Sequence, residues 1–387
     1  MFGKNISLFP SKEILSYALD LSQNKLSKIL KDLENKKIIV FRKFKDAYAL
    51  FSGSDIDLDE VTELNKSKIK DDYDIILSQL PQLQPIVAKK HFHETGTQRI
   101  FQRFCLVLTN VKKTVEEIVR LDLSSASAGA FIFLCRTKED SEKDFEEKLV
   151  ELSQIKFPKP VIIGSSKNFN EFFNYALEIA ALKRVKSTVT GIEGDSIAKK
   201  ELKGRLNAYQ NLLFNSLYLN FENASWTFNK EKLKENNLSS IASNVCDKVF
   251  HLTPVIHNEL VVRDKLSSMS MSGSANLITL MLNKSNLKNL SMEGHPPEFG
   301  IYLSIIKANN LHVKNTDEYE FTMEKTKNKN LKKMYEDFLS IIKKSKEAVS
   351  VSDIYAHFEK QPYGAKLGIL PILLAVFYKS SEASCAF

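Results

Sequence analysis

The stretch that decides the fold opens with CDKVFHLTPVIHNELVVRDKLSSMSMSGSANLITLMLN at residues 246–283 and closes with MEGHPPEFGIYLSII at residues 292–306. It places charged side chains and three prolines between apolar runs of helical spacing. Within Pro254–Ser268 this spacing predicts a helix, in which Glu259 and Arg263 lie four residues apart and can pair on one face. The polar residues of this stretch are therefore the first candidates for a functional surface.

Two interpretations of these polar residues stay open. In the first, Glu259 and Arg263 form a surface ion pair that contributes only about 0.2–0.5 kcal/mol. In the second, the stretch is a contact surface toward another domain or a nucleotide, and its candidate residues are Asn258, Glu259, Arg263, Glu293 and His295. After the predicted helix, Met269–Gly273 favours a break before a further helix over Ala275–Leu282.

Length and composition predict an ordinary globular protein. A chain of 387 residues exceeds one typical core, so two or three domains are expected. Its 43% hydrophobic and 26% charged residues are typical of soluble proteins. The net charge of +8 permits contact with nucleic acid or another polyanion, although excess lysine also raises solubility. Because the sequence has neither a signal peptide nor an apolar run of membrane length, we predict a cytoplasmic protein without a membrane partner.

Neither the cysteines nor the histidines complete a metal or catalytic signature. The four cysteines include no CxxC pair, and Cys105 and Cys135 lie in strand-like runs, which favours buried reduced thiols. The cluster HFHE at His91–Glu94 contains good zinc ligands, but it lacks a fourth ligand and the HExxH spacing, so a polar loop is predicted. The turn GSSK at Gly164–Lys167 lacks the GxxxxGK pattern of a phosphate-binding loop. The sequence therefore assigns no catalytic, cofactor-binding or metal-binding residue.

Residues 1–66 are predicted to form a winged-helix domain. A capped helix starts after Ser11, and a second helix follows over Gln23–Glu34. Two β-branched and aromatic runs, 38–44 and 47–51, then predict a hairpin. In a DNA-binding protein the second helix would enter the major groove, and the candidate phosphate contacts are Lys25, Lys28, Lys31, Arg42 and Lys43.

The same helix also carries features that oppose DNA recognition. It contains Asp32 and Glu34, and it has no arginine to contact base edges. A winged helix that serves only for packing between domains therefore stays open beside DNA binding.

The fold class predicted for the whole chain is α/β and mostly α, with several domains. Residues 67–190 are predicted to form a small parallel α/β domain, because strands and helices alternate in them. The predicted order is Phe101–Leu108, Val111–Val119, Ala130–Cys135, Ser141–Ser153, Val161–Gly164 and Asn168–Val185. A Gly-, Ser- and Thr-rich break at Ser187–Ser196 predicts a boundary, and residues 191–387 are predicted to be mainly helical and to form a truncated domain.

Five stretches also carry a family resemblance. They are FRKFKDAYALFSGSDIDLD at 41–59, KKHFHETGTQRIF at 89–101, CDKVFHLTPVIHNELVVRDKLSS at 246–268, EGHPPEFGIYLSIIKANNLH at 293–312 and PYGAKLGILPILLAVF at 362–377. Together they resemble the non-catalytic C-terminal portion of large prokaryotic P-loop ATPases of phage-defence systems, such as the BREX ATPases.

The resemblance implies that the phosphate-binding loop precedes the winged helix, and this sequence lacks that loop. It therefore implies a fragment or split subunit, with no cofactor of its own and with ATP bound only by the complete protein. The implied partners are other domains or subunits of a defence complex. No catalytic residue of the family maps onto a position of this chain.

Two hypotheses of function follow, and a third is weaker. The first is an interaction or regulatory portion of a defence-associated ATPase. The alternative is a winged-helix DNA-binding regulator with a ligand-sensing α/β domain. The third is an enzyme built around His91, His93 and Glu94.

Overall fold

The computed structural model describes residues 9–42, 46–50, 56–121, 127–138, 140–167, 169–192, 194–235, 237–345 and 347–382. These residues form a mixed α/β structure, as the sequence predicts. The chain divides into two compact units, and each combines segments that are distant in the sequence. Unit 1 comprises Met1–Gln82, Cys105–Val107 and Ser165–Ala224, and unit 2 comprises Leu83–Phe104, Leu108–Gly164 and Ser225–Phe387. The sequence-based prediction is a division into three consecutive domains, at 1–66, 67–190 and 191–387.

The helices and strands follow one another along the whole described chain. The helices are α1 (Lys12–Leu19), α2 (Gln23–Asn35), α3 (Leu58–Ile69), α4 (Tyr73–Leu77), α5 (Lys89–Thr95), α6 (Val111–Arg120), α7 (Glu142–Ser153), α8 (Asn170–Thr188), α9 (Ser196–Glu222), α10 (Leu238–Val249), α11 (Ser268–Asn283), α12 (Pro297–Ile301), α13 (Lys329–Lys344), α14 (Val351–Glu359) and α15 (Leu370–Ser380). The strands are β1 (Ile39–Arg42), β2 (Ala47–Leu50), β3 (Ile86–Val87), β4 (Ile100–Val107), β5 (Ser127–Cys135), β6 (Val161–Ser165), β7 (Ser225–Phe228), β8 (Glu231–Lys232), β9 (His312–Asn315) and β10 (Glu318–Phe321). A 3₁₀ segment covers Lys288–Ser291, and a π-helical segment covers Tyr302–Lys307. Within the part of the chain that the structure describes, none of the helices combines the length and apolar character needed to cross a bilayer.

Unit 1 begins with two helices and a hairpin at the positions that the sequence predicts. Ser11 caps α1, because its side-chain oxygen accepts a hydrogen bond from the Ile14 backbone N–H at 3.3 Å. Helix α2 turns Leu26 and Leu30 into the interior, and β1 pairs with β2 in an antiparallel hairpin. The apolar face of α2 is thereby covered, and its opposite face is left at the surface.

The remainder of unit 1 is built on α3, α8 and α9. Helix α3 was not predicted, and Asp57 caps it by accepting hydrogen bonds from the Asp59 and Glu60 backbone N–H groups. The buried side chains of this core are Leu58, Leu182, Val185, Ile192, Ala198 and Leu202. The break predicted at Ser187–Ser196 lies between α8 and α9, and both helices belong to unit 1.

A six-stranded sheet has the strand order β3-β4-β5-β6-β7-β8. Apart from Cys105–Val107 and Ser165, its residues belong to unit 2. Strands β5 and β6 are parallel, as the predicted strand-helix-strand order requires. The sheet is mixed and not wholly parallel, because β3 pairs with β4, and β7 with β8, in the antiparallel sense. Residues Ala130–Cys135 of β5 are completely buried, as in a central strand covered on both faces.

Trp226 of β7 packs against the neighbouring strands of this sheet. Its ring packs edge-on against Phe131 of β5, with 5.0 Å between the ring centroids. A Cβ atom at Gly164 of β6 would overlap the Trp226 ring, so the indole can lie there only because residue 164 has no side chain. Gly164 therefore serves the packing of the sheet.

Helix α15 supplies many of the buried side chains of a second core in unit 2. Its residues Ile372–Phe377 are buried together with apolar side chains of α11, α13 and α14. Pro371 lies in the first turn of α15, where a missing N–H leaves no helical hydrogen bond unmade. The helix begins at Leu370, one residue ahead of this proline, so Pro371 does not interrupt it.

The helix predicted over Pro254–Ser268 does not form. The segment ahead of α11 consists of turns and bends, and the Asn258 side chain accepts a hydrogen bond from the Leu260 backbone N–H at 2.9 Å. Such a side-chain turn replaces the helical hydrogen bonds. The break predicted at Met269–Gly273 is also wrong, because α11 starts after its cap Ser267 and continues through these residues.

We expect Gly164→Ala to destabilise unit 2 by roughly 1–3 kcal/mol, because the new methyl group must displace the Trp226 ring or the strand. Gly300→Ala is the matched control, since a Cβ atom at Gly300 in α12 meets nothing within 4 Å. Urea unfolding followed by fluorescence reports on the packing directly, because Trp226 is the single tryptophan of the chain. Equal unfolding midpoints for the two variants would contradict this account.

Candidate functional site

Helix α2 presents a row of lysines at the surface. Lys25, Lys28 and Lys31 are exposed, whereas Leu26 and Leu30 are buried. Residues three positions apart are neighbours on a helix, so the three ammonium groups share one face. In the described residues none of these lysines forms an ion pair. The structure thus brings together three of the five phosphate contacts predicted from the sequence.

The acidic residues of α2 leave this row positive. Asp32 pairs at 2.7 Å with Lys36, the residue that follows the helix, so its charge is matched. Glu34 is half-buried. The face that carries the three lysines therefore keeps its charge.

Arg42 does not join this row. Its guanidinium forms an ion pair with Glu201 of α9, and burial lowers the pKa of Arg42. Glu201 also accepts a hydrogen bond from Arg205 Nε at 2.9 Å, and Arg205 Nη1 donates to Asp59 at 2.6 Å. Arg42 is thus part of a charge network of unit 1, which differs from the phosphate contact predicted for it. Lys43 lies outside the described residues.

The interaction surface predicted from the sequence comprises Asn258, Glu259, Arg263, Glu293 and His295. Only Asn258 is half-buried, and its Nδ2 donates to Ser304 Oγ at 2.7 Å, while the other four are exposed. No hydrogen bond or ion pair joins any two of the five, all of which the structure describes. The predicted pair of Glu259 with Arg263 is not made, because the helix that would align the two side chains does not form.

The most deeply buried charged cluster was not predicted, and it surrounds Arg99, directly ahead of β4. Arg99 is only 3% exposed. Its Nε donates to His91 Nε2 at 3.1 Å, and its Nη2 donates to Thr253 Oγ1 at 2.8 Å and to the Gly364 carbonyl at 2.9 Å. Its Cζ lies 3.8 Å from the centroid of the Phe250 ring. These partners compensate for the loss of water around a buried cation.

Hydrogen-bond chemistry fixes the protonation state of His91. Because the Arg99 guanidinium can only donate, His91 Nε2 must accept, and the ring proton lies on Nδ1. Nδ1 then donates to Asp247 Oδ1 at 2.7 Å, so a neutral imidazole joins the buried cation to a carboxylate. Burial lowers the pKa of Arg99 to about 10, which leaves it charged at neutral pH. Burial also lowers the pKa of His91, against the opposing effect of its hydrogen bond to Asp247.

The cluster contains residue types found in active sites, but its side chains serve to hold neighbouring segments together. We name it the Arg99 clamp. Both ring nitrogens of His91 are occupied, and burial raises the pKa of Cys246 to about 12, which keeps the thiol protonated. His93 and Glu94 are exposed on α5, which is a helix and not the predicted polar loop. In the residues that the structure describes, no three His, Cys, Asp or Glu side chains are grouped to hold a metal ion. The cluster therefore ties α5 to α10 and to the segment around Gly364.

Local sequence carried little signal for this cluster. His91 and Asp247 are 156 residues apart, so no motif spacing connects them. The sequence signal for the cluster was limited to two glycines, Gly96 and Gly364. In the structure both have positive φ angles, and both lie against backbone or guanidinium atoms that leave no room for a side chain. A Cβ atom at Gly96 would overlap the Ile256 carbonyl, and one at Gly364 would lie 2.8 Å from the Arg99 guanidinium nitrogens.

We expect the stability of unit 2 to fall below about pH 6.5, the ordinary pKa of histidine. Because the pKa of His91 is lowered in the folded state, the unfolded state binds the proton first. Stability that is present above pH 6.5 is then lost as the pH falls toward the folded-state pKa. The slope due to His91 is at most about 1.4 kcal/mol per pH unit.

Urea unfolding of the unchanged protein and of His91→Gln, at about pH 7.5 and about pH 5.5, measures this effect. The midpoint should fall further in the protein that keeps the histidine, since all other titrating groups are shared. A fall of the same size in both proteins would refute the neutral, buried His91.

We expect Gly364→Ala to be more destabilising than Gly294→Ala by roughly 1–3 kcal/mol. Both glycines have positive φ angles, +57° and +69°, so both variants carry the backbone strain of alanine in this region. Only at Gly364 does the new methyl group also meet Arg99 and Phe250, because Gly294 has open space around it. Thermal unfolding of the two variants isolates the steric contribution, and equal melting temperatures would show that the clamp tolerates the methyl group.

Comparisons with known proteins do not identify a function, so a function has to be argued from the residues of this chain. No protein-family model, no curated protein and no solved structure matches this chain.

Proposed function

We propose that α1, α2 and the β1–β2 hairpin form a winged helix and that this domain contacts duplex DNA through α2. The observation that carries the proposal is the exposed row Lys25, Lys28 and Lys31 on the face opposite Leu26 and Leu30. Two helices followed by a hairpin is the winged-helix order, and the second helix of a helix-turn-helix pair is the one that enters the major groove. The function is that of a non-catalytic DNA-binding regulator.

The contact would be made with phosphates and not with base edges. Lysine is a compact point charge, whereas the bidentate reading of guanine is made by arginine in most complexes. Helix α2 has no arginine, and its three free cations are lysines. Each phosphate neutralised steepens the dependence of log K on log salt by about 0.9, so three contacts contribute a slope of about −2.7.

In the described residues, the β1–β2 hairpin adds little to the proposed contact between α2 and DNA. Arg42 ends β1, and its guanidinium is held by Glu201. Phosphate binding by Arg42 would require breaking this ion pair. The proposed interface is therefore the helix alone, which supports weak binding without sequence preference.

A second function has its own support, and it follows the resemblance to defence-associated ATPases. In it, this chain is the interaction or regulatory portion of a larger assembly, whose ATP site lies in other domains or subunits. Large apolar side chains lie exposed on α1 and β2, among them Tyr17 at 92% and Leu50 at 75%. Exposed apolar surface of this kind favours contact with another protein.

We expect Lys25→Gln, Lys28→Gln and Lys31→Gln together to weaken binding to random duplex DNA roughly tenfold and to make the salt slope shallower by about 2.7. Glutamine keeps the helix propensity of α2 while it removes the charges. Fluorescence anisotropy with a labelled duplex at several salt concentrations gives both quantities.

A matched control changes the net charge by the same amount elsewhere in unit 1. Lys68, Lys70 and Lys186 are exposed lysines on or next to other helices, so their replacement by glutamine tests charge alone. If the control weakens binding as much as the α2 variant does, the role of α2 is refuted. If the unchanged protein does not bind DNA at low salt, the second function becomes the better account.

A further inference from the structure

The segment KTKNKNLKK at residues 325–333 combines five lysines with no acidic residue. It connects β10 to α13 and forms the first turn of that helix, within unit 2. We infer that this segment, here named the lysine ridge, is a second surface that binds the phosphate backbone of duplex nucleic acid. The inference does not depend on the proposal for α2, since it uses residues of unit 2 only.

The ridge alternates between outward and inward side chains. Lys325, Lys327 and Lys329 are exposed, whereas Thr326 between them is buried. Leu331, the one apolar residue of the ridge, is completely buried. The ridge therefore offers charge to the surface and no apolar side chain.

Two asparagines hold the backbone of the ridge in place. Asn328 Nδ2 donates to the Val255 carbonyl at 2.8 Å, and Asn330 Nδ2 donates to the Thr253 carbonyl at 2.8 Å. Asn328 also caps α13, because its Oδ1 accepts from the Leu331 backbone N–H at 3.2 Å. Binding would need to order only the lysine side chains, since the backbone that carries them is already anchored.

The charges of the three outward lysines of the ridge are unmatched. Among the described residues Lys325, Lys327 and Lys329 have no ion-pair partner, and Lys333 has Glu336 at 3.1 Å. Lysines at the N-terminal end of a helix also oppose the helix macrodipole, which favours negative groups there. The first turn of α13 contains no acidic residue. The lysines at its N-terminal end thus weaken α13 slightly. An anionic partner would balance their unmatched charges and would also offset their unfavourable interaction with the helix macrodipole.

Nucleic-acid phosphates fit this surface better than a protein or a bilayer does. Lysine is depleted in protein interfaces, where buried aromatic and aliphatic anchors supply most of the affinity, and the ridge exposes no such anchor. An interfacial membrane site needs an apolar face beside its basic residues, and Leu331 is not available for it. Stacking on single strands needs aromatic side chains, which the ridge lacks. A duplex backbone needs only positive charge at the surface.

The test compares the full chain with three variants by fluorescence anisotropy on a labelled random duplex. The ridge variant carries Lys325→Gln, Lys327→Gln and Lys329→Gln. The charge-matched control replaces Lys288, Lys314 and Lys360, which are exposed lysines of unit 2, by glutamine. The third variant carries the three α2 substitutions alone, Lys25→Gln, Lys28→Gln and Lys31→Gln.

We expect the ridge variant to bind roughly tenfold more weakly at low salt, with a salt slope shallower by about 2.7, and the control to change neither. An equal loss in the control would overturn the inference, because it would show that net charge alone matters. Unchanged duplex binding by the ridge variant would overturn the inference as well. A loss of binding to phosphatidylserine vesicles in the same variant would then show that the ridge binds a membrane and not a duplex.

The four proteins separate the two DNA-binding proposals. A loss in the ridge variant with none in the α2 variant supports the ridge and refutes α2, and the reverse pattern does the opposite. Urea unfolding checks the fold, because the ridge substitutions remove cations from a helix N-terminus and should not lower the unfolding midpoint.

Discussion

One buried cation constrains much of unit 2. The Arg99 guanidinium has left water, and a charge in the interior is tolerated only when its donors are satisfied and a counter-charge is near. Its partners come from places far apart in the sequence: the His91 ring, the Thr253 hydroxyl and the Gly364 carbonyl. Each of these elements must reach its final position before the cation is compensated. The cluster therefore selects one arrangement of α5, α10 and the segment around Gly364 from those that the apolar core alone would permit.

Arginine and lysine have separate places in this protein. Arg99 in unit 2, and Arg42 and Arg205 in unit 1, lie in networks with carboxylates or carbonyl oxygens. The guanidinium group suits such sites, because it is weakly hydrated and presents a fixed set of donors. The free cations at the surface of α2 and of the lysine ridge are lysines, which are strongly hydrated point charges. Surfaces of this composition favour a partner that offers a regular array of negative charge over one recognised by shape.

Sequence reasoning located the elements that depend on local patterns and missed those that depend on distant partners. Strand β5 and the helices around it were predicted correctly, because a buried strand needs an apolar run and a helix needs a cap and a period, as Ser141 shows for α7. The segment over Pro254–Ser268 has helical spacing, yet the side chain of Asn258 makes a turn there. Strand β7 likewise makes a contact between distant residues, because its Trp226 packs against Phe131 of β5.

The same distinction applies to the candidate site. The spacing of Lys25, Lys28 and Lys31 places them on one helix face, and this requires no knowledge of the fold. The ion pair of Arg42 with Glu201 depends on how α9 packs, so the sequence could not reveal it. The lysine ridge was not singled out from the sequence, and the anchoring of its backbone by Asn328 and Asn330 depends on distant residues that the fold brings to it.

Segments of unit 1 and unit 2 alternate along the sequence, and this has a consequence for biosynthesis. Unit 1 needs residues up to Ala224, and its last segment, Ser165–Ala224, is flanked in the sequence by residues of unit 2 on both sides. At a synthesis rate of about 5–20 residues per second, α2 and the hairpin leave the ribosome roughly 8–30 s before the residues of α9 that pair with Arg42 and Asp59. During this interval the apolar side chains of α3 lack α8 and α9 to cover them. Chaperone binding to the nascent chain is therefore expected to be concentrated on the first elements of unit 1, long before the C-terminal core of unit 2 exists.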